Sequence, residues 1–208
     1  MIQERLKELR AQMQERGIDI YIVPTSDFHQ SEYVGEYFKA RKYMTGFTGS
    51  AGTAVITKEE AGLWTDGRYF IQAEKQLEGS TVKLFKMGEE GVPKVEEYVK
   101  DHLTEGSCIG FDGRVMDAKS GEKYAKMAEE KKAALYVKED LVGNIWKDRP
   151  QLPANKVWIL EDAYAGRSMA DKIADVRTKM QKEGADIHIL SSLYDIAWLL
   201  NLRGGDID

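Results

Sequence analysis

The stretch Arg10-Ala-Gln-Met-Gln-Glu-Arg-Gly-Ile-Asp-Ile-Tyr-Ile22 recurs as Arg177-Thr-Lys-Met-Gln-Lys-Glu-Gly-Ala-Asp-Ile-His-Ile189, with seven of the thirteen positions identical. The two copies lie 167 residues apart. Solenoid and propeller repeats have periods of roughly 20 to 50 residues, so the repeated unit here is a whole domain. The second copy begins near the end of the 208-residue sequence. We therefore expect a duplicated domain whose second copy is cut short at Asp208.

Each copy has the pattern of a helix, a glycine and a strand. Residues 2–16 have a helix-forming composition with apolar residues on one stripe, and Gly17 supplies a left-handed stop. Residues 18–23 are apolar at nearly every position, which predicts an interior strand. The same order predicts a helix at 169–183 and a strand at 187–190.

The residues between the copies predict further strands and helices. Strands are expected at 53–57, 63–65, 81–87, 108–111 and 134–137, and helices at 69–77, 93–102 and 117–131. The first two of these strands flank a short glycine-containing loop, which is typical of a hairpin. Alternating strands and helices with one hairpin predict an α/β domain whose mixed sheet is flanked by helices.

A domain boundary is expected at residues 147–153, where two prolines within four residues favour an extended linker. The first domain then spans residues 1–150, and the linker with the start of the second spans 151–208. A strand at 157–160 followed by the second helix and strand predicts a βαβ-like unit, which is too small to bury a stable core alone.

Composition and charge exclude several classes of partner. The net charge of -5, with both signs interspersed, argues against binding to nucleic acid. No stretch approaches the roughly 18 apolar residues of a membrane span, and the N-terminus lacks the pattern of a leader. The single cysteine, Cys108, cannot form an internal disulfide and reads as a small buried residue. A cytoplasmic protein with no membrane partner is expected.

The glycine-rich run Gly46–Gly52 does not have the pattern of a phosphate loop. It lacks both the Gly-x-Gly-x-x-Gly spacing and a Gly-Lys-Ser/Thr ending, and a predicted strand follows it where a phosphate loop needs a helix. Ser50 lacks a nucleophile elbow because Thr48 stands where that motif has glycine. The run is interpreted as a structural or interfacial turn.

Asp27, His29 and Glu32 follow a predicted strand, and so are expected at the carboxyl edge of the sheet. Metal binding is one interpretation, but a lone histidine among carboxylates lacks a second imidazole or thiolate. Helix capping by Ser26 or Asp27 is the simpler reading.

Asp66-Gly-Arg68 places an acid and a base around a glycine. We interpret it as a turn in which Asp66 accepts backbone N–H groups and Arg68 pairs with a carboxylate. No complete catalytic set is visible in the sequence, and the other histidines, His102 and His188, are interpreted as structural.

Five motifs taken together resemble the N-terminal part of the three-domain aminopeptidase P family, within the creatinase/prolidase superfamily. They occur in the family's order: Pro24-x-x-Asp-x-His-x-Ser-Glu-Tyr33, Gly46-Phe-Thr-Gly-Ser-Ala-Gly-Thr-Ala54, Trp64-Thr-Asp-Gly-Arg-Tyr-Phe70, Asn144-Ile-Trp-x-x-Arg-Pro150 and Asp195-Ile-Ala-Trp-Leu-Leu-Asn-Leu-Arg-Gly204.

The resemblance implies two successive creatinase-like domains followed by a pita-bread catalytic domain. That domain removes the N-terminal residue preceding proline with two divalent metals, usually manganese, held by two Asp, one His and two Glu. None of those ligands maps onto this chain, so the fragment alone is expected to need no cofactor and to be inactive.

The resemblance therefore predicts a non-catalytic region that contributes to oligomerisation, expected as a homodimer, and screens short peptides with proline at the second position. The candidate gating or interface residues are Asp27, His29, Glu32, Tyr33 and Arg68. The alternative is a stand-alone creatinase-like binding or assembly module. A creatine- or dipeptide-specific relative fits less well, since those enzymes usually have a single N-terminal domain.

Overall fold

The computed structural model describes residues 1–206. The chain divides into two compact units, Met1–Gln151 and Leu152–Asp208, here called unit 1 and unit 2. Residues 207 and 208, which end the expected second segment, lie outside the described residues.

A six-stranded mixed sheet forms the centre of unit 1. Its strands are β1 (Ile20–Pro24), β2 (Thr53–Thr57), β3 (Ala61–Thr65), β4 (Lys83–Lys86), β5 (Cys108–Phe111) and β6 (Ala134–Tyr136). The spatial order is β4-β3-β2-β1-β5-β6. β2 is antiparallel to both of its neighbours, and the other neighbouring pairs are parallel. Five strands therefore run in one direction, and the prediction of a mixed α/β sheet is confirmed.

Six α-helices and one 3-10 helix belong to unit 1. They are α1 (Ile2–Glu15), the 3-10 helix Glu36–Phe38, α2 (Ala40–Thr45), α3 (Phe70–Leu77), α4 (Val95–His102), α5 (Ala118–Glu130) and α6 (Leu141–Ile145). The four longer helices confirm the sequence predictions to within two residues at each end. The 3-10 helix, α2 and α6 were not predicted, because elements of three to six residues are too short to show a helical period.

The core has two layers because the strands alternate. Tyr21 and Val23 of β1 face one side of the sheet, where they pack in a cluster with residues of α1, α2, α3 and α6. Ile20 and Ile22 face the other side, where α4 and α5 cover them. Each of these four side chains is at most 4% exposed. β1 is therefore an interior strand, as its continuous apolar sequence predicts.

Helix α1 buries one stripe and ends at a glycine, as expected. Leu6, Leu9 and Met13 are at most 2% exposed, and burial of each such side chain contributes roughly 1.5–3 kcal/mol. Gly17 has φ +66°, a left-handed conformation that turns the chain into β1.

Unit 2 contains three helices and a two-stranded antiparallel ribbon among its described residues. The elements are β7 (Trp158–Ile159), α7 (Asp162–Ala165), α8 (Met169–Glu183), α9 (Leu193–Leu200) and β8 (Leu202–Arg203), and β7 pairs with β8. The hydroxyl of Ser168 caps α8 by accepting the N–H of Asp171 at 3.1 Å. Gly184, with φ +63°, ends this helix as Gly17 ends α1.

The predicted strand at 187–190 is wrong, and so is the βαβ-like order of unit 2. These residues form no regular element, and Ile187 and Ile189 are 80% and 84% exposed. The run is apolar enough for a strand, but a strand also needs a hydrogen-bonded neighbour. No strand within residues 1–206 pairs with this run.

Gly62 on β3 lies against an aromatic stack on the α4 side of the sheet. The rings of Trp64 and Phe85 are nearly parallel, with centroids 4.0 Å apart. A Cβ at position 62 would lie 2.6 Å from ring atoms of both residues. Only glycine lets the two rings pack on this part of the strand.

We predict that Gly62→Ala lowers the free energy of unfolding by about 1–3 kcal/mol, because the added methyl overpacks the buried Trp64 ring and the half-buried Phe85 ring. Gly121→Ala is the matched control. Gly121 lies within α5 with open space around it, so alanine there should raise stability by about 0.5–1 kcal/mol. Urea unfolding of both variants measures this, and a Gly62→Ala variant as stable as wild type would contradict the packing described.

Candidate functional site

One edge of the unit 1 sheet gathers most of the sequence motifs. β1, β3 and β5 run in the same direction, so the loops that follow them leave from the same edge. The glycine run precedes β2, which runs the opposite way, so it reaches that edge as well. We call this the carboxyl edge. Open α/β sheets commonly carry their binding residues at such an edge.

Residues 25–36, here called the 25–36 segment, follow β1 and turn around a buried carboxylate. Asp27 is 2% exposed, and its Oδ1 accepts the N–H of His29 at 2.8 Å and of Ser31 at 3.0 Å. The helix-capping interpretation of Ser26 and Asp27 is wrong, because no helix begins there. Asp27 instead closes a turn by the same kind of hydrogen bond.

The hydrogen bonds to Asp27 also change its acidity. Burial by itself would raise the pKa of Asp27, but the hydrogen bonds from Ser31 and His29 outweigh it and hold the pKa below its ordinary value. The carboxylate is therefore charged at neutral pH and fixes the backbone of the turn.

The remaining candidates of the segment point into solvent. His29 and Glu32 are exposed, and Tyr33 is 55% exposed. Within residues 1–206 no hydrogen bond links the side chains of these three residues to one another or to Asp27. The structure thus brings them onto one short turn without assembling a catalytic group. Their side chains are free to meet another molecule.

Arg68 pairs with the aspartate of its own turn. Its Nε and one terminal nitrogen donate to Asp66 at 2.8 and 2.9 Å, and its backbone N–H donates to the same carboxylate at 3.1 Å. This pairing lowers the pKa of Asp66 to about 2. The pKa of Arg68 is raised, chiefly by Asp66 and to a smaller extent by the phenols of Tyr69 and Tyr33. The guanidinium of Arg68 lies 5.2 Å from the centroid of the Tyr69 ring.

The glycine run is held by a buried arginine. Arg41, on α2, is 4% exposed and donates to the carbonyls of Phe47, at 2.6 Å, and Gly49, and to the hydroxyl of Thr25, at 3.0 Å. Burial lowers its pKa to about 10, which still leaves it charged at neutral pH. A Cβ at Gly49 would lie 2.2 Å from the Phe47 ring. The run is thus a packed turn followed by a strand, as expected.

Two further arginines at this edge were not among the predicted site residues, although Arg149 belongs to the motif Asn144-Ile-Trp-x-x-Arg-Pro150. Arg149 donates to the carbonyl of Tyr37 at 2.8 Å, pairs with Asp140 and lies 3.8 Å from the centroid of the Tyr37 ring. Arg114 pairs with Asp112, and its guanidinium lies 5.4 Å from the Phe28 ring centroid. A sequence signal did exist for Arg114, because Asp112-Gly-Arg114 repeats the tripeptide Asp66-Gly-Arg68.

A cavity of about 20 Å³ beneath the edge, lined among others by Tyr21, Asp112 and Arg149, has room for one water. Within residues 1–206 no group of three His, Cys, Asp or Glu could hold a metal ion. The same residues include no helix long and apolar enough to cross a membrane.

Comparison with known proteins gives the chain a family. Residues 5–138 match a model described as Creatinase/Prolidase N-terminal domain, and residues 148–208 match a second model with the same description. Aminopeptidase P2 of Arabidopsis thaliana is 42% identical across 100% of this chain and 30% of its own length. A "Probable Xaa-Pro aminopeptidase P" of Pyrenophora teres f. teres is 46% identical across 98% of this chain and 31% of its own length.

A solved structure covers both units. It is an X-prolyl aminopeptidase from Caenorhabditis elegans, described as a cytosolic enzyme with a di-nuclear active site. That structure is 34% identical with a TM-score of 0.88, over 100% of this chain and 35% of that one. The chain spans about a third of the length of these relatives. It belongs to the creatinase/prolidase N-terminal domain family, and it resembles the N-terminal region of aminopeptidase P.

Proposed function

We propose that this chain is the non-catalytic N-terminal region of a metal-dependent aminopeptidase that removes the N-terminal residue preceding proline. In this proposal two divalent metals, manganese, are held by a catalytic domain outside the chain. The substrates are short peptides with proline at the second position, and the full-length protein works in the cytoplasm. The names of relatives at 42% and 46% identity support the activity, and the cytosolic relative supports the location.

The region's own contribution is to screen substrates. The observation that carries this proposal is the 25–36 segment, which exposes His29, Glu32 and Tyr33 on a backbone that a buried carboxylate holds in place. A screening surface needs polar groups that reach solvent and do not move when a peptide arrives. Asp27 supplies that rigidity, and Arg68 follows β3 at the same carboxyl edge.

In this proposal, unit 2 is the first part of a second creatinase-like domain. Residues beyond 208 would complete that domain. Large apolar side chains stand exposed on it, among them Val157, Trp158, Ile159, Tyr164, Ile187, Ile189 and Tyr194. Contiguous exposed apolar surface usually belongs to an interface. The match of residues 148–208 to a creatinase-type model supports this reading. We also propose that the full-length protein is a homodimer to which these domains contribute.

The alternative is a stand-alone binding or assembly module with the same fold. One observation separates the two. The aminopeptidase proposal requires a reading frame that continues past residue 208 through a domain containing two Asp, one His and two Glu as metal ligands. The module proposal requires that no such domain be encoded.

We predict that His29→Ala in the full-length protein lowers kcat/KM for a proline-containing peptide by roughly 1–3 kcal/mol of transition-state stabilisation, the range for loss of a hydrogen bond to a charged group. Bound metal and Tm should match the wild type, because the His29 side chain is exposed. Asp27→Ala should lower kcat/KM as well. Unchanged kcat/KM in both variants would rule out screening by this segment.

A second prediction concerns pH and the turn itself. The folded pKa of Asp27 lies below the unfolded value of about 3.9. Its contribution to stability is therefore complete above pH 4 and is lost as pH falls through the folded pKa. Asp27→Asn should lower the free energy of unfolding at pH 6 and flatten its decline between pH 4 and the folded pKa. Urea unfolding of this chain at several pH values tests this, with exposed Asp101→Asn as the control for lost charge. A variant whose decline parallels wild type would show that the turn does not depend on the charge.

A further inference from the structure

The two units share a side-chain arrangement that the sequence repeat alone does not reveal. In unit 1, Arg5 of α1 donates to the carbonyl of Tyr43 at 2.8 Å and lies 3.9 Å from its ring centroid. In unit 2, Lys172 of α8 donates to the carbonyl of Trp198 at 2.9 Å and lies 4.9 Å from its ring centroid. Arg5 and Lys172 are 167 residues apart, which is the period of the repeat.

The helices that carry the two aromatic residues also end alike. Gly46 ends α2 with φ +77°, three residues after Tyr43. Asn201 ends α9 with φ +50°, three residues after Trp198. α2 and α9 are therefore equivalent elements of one duplicated fold, and the two units can be compared position by position.

The comparison shows that the connection between β1 and α2 in unit 1 is longer than its counterpart in unit 2. Pro24 at the end of β1 corresponds to Ser191 by the 167-residue period. Twenty-one residues separate Pro24 from Gly46, whereas nine separate Ser191 from Asn201. Unit 2 makes the same connection with twelve fewer residues. The excess falls on the 25–36 segment, so the repeated helix pair forms without it.

Arg114 is the contact that joins this segment to the loop after β5. Its Nε and one terminal nitrogen donate to Asp112 at 3.0 and 2.9 Å, and its backbone N–H donates at 3.0 Å, the same pattern as in Arg68 and Asp66. This two-point pairing orients the guanidinium toward the Phe28 ring. The side chain of Gln30 donates to the Val115 carbonyl at 3.3 Å and extends the contact.

We propose that the 25–36 segment is a specificity-determining insertion in one copy of a duplicated fold, and that Arg114 is its positioning residue. Arg114 acts through Phe28, and the side chains that meet the peptide are those of the segment. The proposal rests on the proposed function, since the peptide that the segment screens is a substrate of the full-length protein.

The test is a double-mutant cycle in the full-length protein with Arg114→Gln and Phe28→Leu. Each single change should raise KM for a proline-containing peptide by about 2- to 5-fold, the fold-change of one exposed cation–π contact, with kcat unchanged. The double variant should raise KM by less than the two single effects combined, because the contact between Arg114 and Phe28 is lost in all three variants. Phe28 keeps a separate edge-on contact with Phe38, whose ring centroid lies 4.7 Å away. Arg68→Gln is the matched control, since its guanidinium lies over Tyr69 instead, so its effect should add to that of Phe28→Leu.

Three results would overturn the inference. They are an unchanged KM in Arg114→Gln, additive effects of Arg114→Gln and Phe28→Leu, and a lower Tm with unaltered kinetics of the folded protein. If any of these three results is found and His29→Ala still lowers kcat/KM, the role of Arg114 is rejected and the screening function stands. Unchanged kcat/KM in both His29→Ala and Asp27→Ala would reject the screening function itself.

Discussion

The geometry of the carboxyl edge depends on a buried cation. Arg41 is charged, nearly inaccessible to solvent, and satisfied by two backbone carbonyls and a threonine hydroxyl. Desolvation of a guanidinium is expensive, and good hydrogen-bond geometry is what offsets it. The same three bonds fix the start of the 25–36 segment and the glycine run relative to α2. Replacing Arg41 by an apolar residue would leave those acceptors unpaired.

The duplication shows what this edge adds to the fold. In unit 2, Ile196 stands two residues before Trp198, where Arg41 stands two residues before Tyr43 in unit 1. The short connection of unit 2 has no long segment to hold and no arginine to hold it. Both copies keep the contact between a basic side chain and an aromatic residue that joins the paired helices. Features common to both units thus serve the fold, and those confined to unit 1 are the candidates for function.

The sequence predicted the elements that depend on interactions between residues close together in the chain. Gly17 and Gly184 ended helices as expected, and the apolar strand β1 proved to be interior. The strand predicted at 187–190 does not form, because a strand depends on a neighbouring strand that no local sequence pattern specifies. Arg41 was missed for a related reason. Its neighbours in sequence, Ala40-Arg-Lys-Tyr43, give no sign of burial, because the groups that accept its hydrogen bonds lie on other loops.

We propose that Tyr33 and its neighbours face the substrate in the full-length protein. The most direct measurement is photo-cross-linking from benzoylphenylalanine placed at position 33, with a bound peptide that carries proline at its second position. Ile71 on α3, which is 71% exposed compared with 55% for Tyr33, is the control position. We expect a cross-link between position 33 and the peptide, and we expect excess unlabelled peptide to abolish it. No cross-link is expected from position 71. Equal labelling from both positions, or none from position 33, would contradict it.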